Sequence, residues 1–209
     1  MTERTKRHQI VQLVCLITLI ALTALVTGCN SQQLGSSAKQ PKVLFDTNMG
    51  RIVLQLDKKA APKTVKNFLQ YVNEGFYDNT IIHRVIQGFV IQGGGYSLGM
   101  RSKKVTHSPV DNEFKLSNVR GTIAMAKRPG KPDSATSQFF INLVDNSKKL
   151  DTNNGGFTVF GRVIEGMDVV DEIAGVGTVS QMVDVHGAKI EMRDIPFKDI
   201  IIKSARVIQ

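Results

Sequence analysis

A chain of 209 residues is long enough for one domain with length to spare. Its 42 % hydrophobic and 22 % charged residues are the ordinary balance of a soluble globular protein, with ten Phe, three Tyr and no Trp to fill a mostly aliphatic core. The net charge of +9 comes from dispersed basic residues and short pairs such as Lys58-Lys59, Lys103-Lys104 and Lys148-Lys149, which reads as a solvated basic surface and not as a nucleic-acid-binding tract.

The chain opens with a basic head, TERTKRH, then the uncharged apolar run IVQLVCLITLIALTALVT, then Gly28 and Cys29. Basic, apolar and small residues in that order describe a secretory signal. The ending Val26-Thr27-Gly28-Cys29 resembles a bacterial lipobox. That resemblance implies a signal peptide over 1–28, lipidation of Cys29, and a domain tethered to a membrane outside the cytoplasm. An uncleaved anchor is the other reading, since about 18 apolar residues can just span a bilayer. Asp after the lipidated cysteine commonly marks inner-membrane retention in Gram-negative bacteria. Asn30 stands there instead and favours the periplasmic side of the outer membrane. With Cys15 in the leader and Cys29 at its end, the remainder has no disulfide and no thiol chemistry.

Residues 29–41 hold the cysteine and a polar Gly/Ser linker, and the folded domain is expected over 42–209. KVLFDTNMGRIVLQLD reads as a hairpin turning at Asn48-Met49-Gly50. In APKTVKNFLQYVNEG, Pro62 suits a first helical turn, Val65, Phe68, Leu69 and Val72 recur at helical spacing, and Gly75 ends the helix. IIHRVIQGFVIQGG gives two strands, and GTIAMAK, SQFFINLV and TVFGRVI one each. EGMDVVDEIAG is a second helix closed by Gly175, and FKDIIIKSARVI is a final strand pair or one long strand. About eight short strands and two helices point to a mainly β fold, an antiparallel barrel or sandwich with accessory helices.

Most chemistries find no support. His83, His107 and His186 sit in no metal-ligand spacing, GxSxG is absent, and Leu98 stands where GxGxxG would need its last glycine. No metal or cofactor is implied. Two segments remain, residues 81–95 and 121–144. Strict alternation in the first puts Ile82, Arg84 and Ile86 on one face and His83 and Val85 on the other, with a bulge or bend at Gly88. Arg84 has no carboxylate near it in sequence. In the second, Gln138 and Phe140 share a face, and Phe139 and Ile141 share the opposite one.

IHRVIQGFVIQGG resembles the F-H-R-V-I-x-G-F-x-x-Q-G-G signature of the cyclophilins, the cyclosporin-type peptidyl-prolyl cis-trans isomerases. GTIAMAK, SQFFINL and FTVFGRVIEGMDVVD resemble the family's next segments in order. The resemblance covers nearly all of 42–209 and implies an eight-stranded antiparallel barrel capped by two α-helices. It assigns Arg84 as catalytic and Phe89, Val90, Gln92, Ala126, Lys127, Gln138, Phe140, Leu150 and Phe157 as substrate-binding. In that assignment Arg84 donates to the proline nitrogen, Gln92 orients Arg84, and the glycines after Gln92 turn the chain close to the groove.

Three positions depart from the family pattern. Lys127 stands where Asn is common, Phe157 where many members carry His, and Lys149 where eukaryotic members have the tryptophan that helps bind cyclosporin. Weak cyclosporin binding is therefore expected, as is a monomer acting on proline-containing clients. A proline-binding chaperone or scaffold with little turnover, and a surface-exposed adhesin, are the competing classes.

Overall fold

The computed structural model describes residues 40–185 and 187–209. The expected signal, the lipidation site and the linker up to residue 39 lie outside the described residues, as does His186.

β1 (Lys42–Thr47) and β2 (Arg51–Leu56) form the first hairpin. The Thr47 hydroxyl closes its turn, donating to the Gly50 carbonyl at 2.7 Å and accepting from the Met49 amide at 3.0 Å. Gly50 has φ +139°, and a Cβ there would meet Val169 at 2.7 Å, so the turn requires glycine.

Helix α1 (Pro62–Asn73) starts on proline, whose missing amide costs nothing in a first turn. Ala61 has no side chain to cap it. Glu113, distant in sequence, accepts instead from the Lys63 and Thr64 amides at 3.1 and 2.8 Å. The helix buries Val65, Phe68, Tyr71 and Val72 and breaks off at Gly75, which has φ +65°.

The remaining barrel strands are β3 (Thr80–Ile86), β4 (Val90–Ser97), β6 (Thr122–Met125), β7 (Phe139–Asn142), β8 (Val159–Glu165) and β11 (Ile200–Ile208), with the short β5 (Arg101–Ser102) paired to the end of β4. Eight strands follow one another in the order β3-β11-β1-β2-β8-β6-β7-β4, all antiparallel, and β4 pairs back onto β3 to close the barrel. Closure satisfies the edge groups that an open sheet would leave unpaired. The tail is one long strand and not a pair, with β1 on one side and β3 on the other.

Inside, Phe139 lies 5.3 Å from the Phe45 ring, and Phe68 4.9 Å from Phe160. Helix α3 (Met167–Ala174) adds Val170 and Ile173 to the same core. Two helices were expected; a third, the single-turn α2 (Ser147–Leu150), is also present. β9 (Thr178–Val185) and β10 (Ala188–Pro196) were not expected at all. They pair only with each other and pack a small second core, Val183 and Ile195 against Ile81, Tyr96 and Met100.

The alternation expected for β3 is broken. Ile82 pairs with Gly93 and Arg84 with Gln92, so β3 carries one extra residue there. Ile82 and Val85 therefore both enter the barrel core, while His83 is buried against Tyr96, ring centroids 4.7 Å apart. Gly88, with φ +70°, belongs to the turn between β3 and β4 and not to a bulge.

Candidate active site

The strand registers build the site. Arg84 lies opposite Gln92, Gln92 opposite Phe140, Phe140 opposite Ala124, and Ala124 opposite Val159. Directly opposed residues share a sheet face, so this row crosses five strands on the outside of the barrel. Phe139 and Ile141, flanking Phe140, enter the core instead. On the row stands an apolar cluster of Val90, Ala124, Phe140, Leu150 and Val159, with Phe89, Ala126 and Phe157 packed against it. The Phe140 and Phe157 rings meet edge-on at 5.6 Å.

Over this cluster lies a hollow of about 250 Å³ lined by Arg84, Phe89, Val90, Gln92, Ala126, Lys127, Phe140, Leu150 and Phe157. Every residue assigned by resemblance is thus brought to one place except Gln138, which stands behind it and accepts from the Gln92 amide at 2.9 Å. A hollow of about 500 Å³ around Leu56, Leu116 and Arg162 is larger, but it has no basic group beside an aromatic floor.

Two features of the site could not be read from the motif. Arg84 does meet a carboxylate: its Nε lies 3.5 Å from Oδ2 of Asp194, on β10, and it is Asp194 and not Gln92 that engages the guanidinium. The glycines after Gln92 lie within β4, where Gly94 takes φ +81° and the pairing with β3 slips between Gly93 and Ser97. Their role is clearance: a Cβ on Gly95 would run into the Gln138 side chain, which lies flat there to reach Gln92.

A buried asparagine network, unmarked by any motif, fixes the far side of the pocket. Asn146 donates to the Phe89 carbonyl and to Asn142, both at 2.8 Å. Asn142 donates to Asn118 at 3.2 Å, and Asn118 to Asp151 at 2.9 Å and to the Phe157 carbonyl at 3.1 Å. Two pocket rings are therefore held through their own backbone. The one sequence signal was Asn142, a polar residue ending the apolar FFIN strand.

Cations rim the rings. Lys127 donates to the Gly156 carbonyl and lies 5.0 Å from the Phe157 ring centre, and Lys149 lies 5.6 Å from that of Phe89. Burial lowers the Lys127 pKa, against an opposing pull from Asp133. Among the described residues no group of side chains could hold a metal ion.

The description "Cyclophilin type peptidyl-prolyl cis-trans isomerase/CLD" belongs to a family model that matches residues 42–207. The chain belongs to the cyclophilin family. Peptidyl-prolyl cis-trans isomerase B of Escherichia coli is 49 % identical over 171 residues, covering 79 % of this chain and 98 % of that one. Peptidyl-prolyl cis-trans isomerase cyp18 of Streptomyces antibioticus is 47 % identical with the same coverage. The crystal structure of a Cryptosporidium parvum cyclophilin in the presence of the dipeptide Ala-Pro superposes with a TM-score of 0.65 at 29 % identity, over 80 % of this chain and 99 % of that one. This cyclophilin is accordingly an enzyme, a peptidyl-prolyl cis-trans isomerase.

Proposed function

We propose that Arg84 catalyses X-Pro rotation without a covalent step, in polypeptides exported from the cytoplasm. A peptide bond resists rotation by about 18–20 kcal/mol because its nitrogen lone pair is shared with the carbonyl. X-Pro bonds left alone exchange over tens to hundreds of seconds. Reaching roughly 10³ s⁻¹ requires about 7 kcal/mol of selective stabilisation of the twisted state. Twisting localises the lone pair on the proline nitrogen, and a donor aimed there stabilises the transition state alone. A guanidinium stays protonated and serves as that fixed donor. Phe89, Val90, Phe140, Leu150 and Phe157 hold the proline ring and exclude water. Gln92, tied to Gln138, and the backbone of Ala126 and Lys127 orient the chain on either side.

The observation that carries this reading is the cross-strand row, with Arg84 at its rim and beside it a hollow of about 250 Å³ floored by Phe89, Val90, Phe140, Leu150 and Phe157. The Ala-Pro dipeptide in the presence of which the C. parvum relative was solved supports the same class of ligand. The full chain in mild detergent, assayed on an X-Pro peptide, is expected to lose about 100-fold or more in kcat/KM on Arg84→Ala. A variant still able to suppress aggregation, beside a wild type with no turnover, would favour the binding-module reading instead. The N-terminal motif supports export and tethering through lipid on Cys29, and Asn30 supports the outer membrane. Palmitate incorporation that survives Cys29→Ala would reject the tether.

A further inference from the structure

The hairpin outside the barrel holds an acid against Arg84, and its backbone is distorted where it does so. β9 and β10 pair regularly up to Met192, opposite Gln181, and resume at Ile195, opposite Val179. Three steps on β10 therefore face two on β9, and within the bulge Asp194 has φ +61°. This left-handed backbone is uncommon outside glycine, although Asp and Asn tolerate it best. The bulge has a geometric consequence. Ile195 stays in the small core with Ile81, Tyr96 and Val183, Arg193 pairs outward with Glu191, and Asp194 is left directed at Arg84.

Stability alone does not account for this arrangement. Arg84 and Asp194 side chains are 38 % and 37 % exposed, and ion pairs so open to water contribute little to folding. We propose that Asp194 is a positioning residue for Arg84, an inference that rests on Arg84 being the donor to the proline nitrogen. The carboxylate meets the guanidinium at Nε, its inner edge, which leaves both Nη groups free for the groove. A long side chain anchored at one edge has fewer rotamers to search before it donates to the twisted amide. Among the described residues β10 otherwise meets the barrel through the packing of Ile195 and through its chain link to β11, so the hairpin acts as a brace for one side chain.

The test compares three variants of the full-length protein, with kcat and KM measured separately by exchange NMR on an X-Pro peptide. Asp194→Asn keeps the side-chain shape and the tolerance of left-handed backbone but removes the charge. Asp194→Gly relieves the backbone and removes the side chain. Asp194→Glu restores a carboxylate. The expected result is a kcat lowered about tenfold in the Gly variant and less in the Asn variant, with KM within about twofold and melting temperature unchanged. The Arg84 Nε–H resonance should be sharper in the parent than in either of these variants, and the Glu variant should recover part of the rate. Adding Asp194→Asn to Arg84→Ala should cost nothing further. If Arg84→Ala collapses turnover while folded Asp194→Asn and Asp194→Gly keep full kcat and a sharp Nε–H signal, the positioning role is wrong and the Arg84 reading stands. If Arg84→Ala itself leaves turnover intact, the Arg84 reading fails first. Should the Gly variant melt early, the Asn variant and its Nε–H signal decide the matter.

Discussion

The two walls of the groove are built by different rules. The apolar wall, from β4, β6, β7 and the segment through Leu150 and Phe157, is an outward-facing patch of the barrel itself, with a buried asparagine network behind it. The Arg84 wall depends on two register faults, one in β3 beside the arginine and one in β10 at Asp194. The first wall is as rigid as the barrel that carries it. The second is set by a small core of five buried residues and a half-exposed ion pair. Arg84 itself stands on a barrel strand, so what differs between the walls is the backing: the barrel and its asparagine network behind one, an outlying hairpin behind the other.

Adjacent residues give the sharpest way to probe the first wall. Phe139 is fully buried in the core, and Phe139→Ala should cost about 3–5 kcal/mol in denaturant unfolding. Phe140 faces the groove, so Phe140→Ala should spare more of that stability and lower kcat/KM about tenfold, a loss of about 1.4 kcal/mol in transition-state binding. Equal unfolding costs with equal activities would mean that the two faces of β7 are not distinct.

The second wall should be the acid-sensitive one. His83, between Arg84 and the small core, has its pKa lowered to about 4, first by burial and then by the Arg84 charge, against the opposing effect of a hydrogen bond it donates to the Ile81 backbone carbonyl. Its Nδ1 has no hydrogen-bond partner, consistent with a neutral ring. An unfolded histidine titrates near 6.5, so between about pH 6.5 and 4 the unfolded chain binds more protons than the folded one. Stability contributed by neutral His83 is full above that window and falls by up to about 3 kcal/mol across it. His83→Leu should flatten this slope in melts run from pH 7 to 4. An unchanged slope would assign the acid sensitivity elsewhere.

This division also explains what could be read from the sequence. Barrel strands, both longer helices and the pocket side chains follow periodic patterns or a continuous motif, so IHRVIQGFVIQGG and SQFFINL located them. Asp194 could not be found that way. TVSQMVDV and AKIEMRDIP are mostly exposed and lack clean alternation, so no hairpin was expected there, and pairing of Asp194 with Arg84 depends on a bulge that has no sequence mark. The inward turn of both Ile82 and Val85 was missed for the same reason, because one extra residue in a strand reverses the faces on its far side. Asn118 and Asn146 look like ordinary loop residues until the buried carbonyls they satisfy are known.

The smallest expected effect concerns the rim of the apolar wall. Lys127 and Lys149 lie beside the Phe157 and Phe89 rings, with Arg84 across the hollow, so the pocket mouth carries more positive than negative charge. Lys127 lines the hollow, so a client carboxylate next to its proline is expected to feel its charge. At about 6 Å in water the attraction is roughly 0.7 kcal/mol, about threefold in binding. Lys127→Asn should therefore lower kcat/KM for a Glu-Pro peptide about threefold relative to Ala-Pro and improve Lys-Pro correspondingly. Between about 0.01 and 1 M salt the screening length falls from about 30 to 3 Å, which should erase the difference. Equal losses on all three peptides, indifferent to salt, would instead make Lys127 a packing residue that holds the Gly156 carbonyl and the Phe157 ring in place.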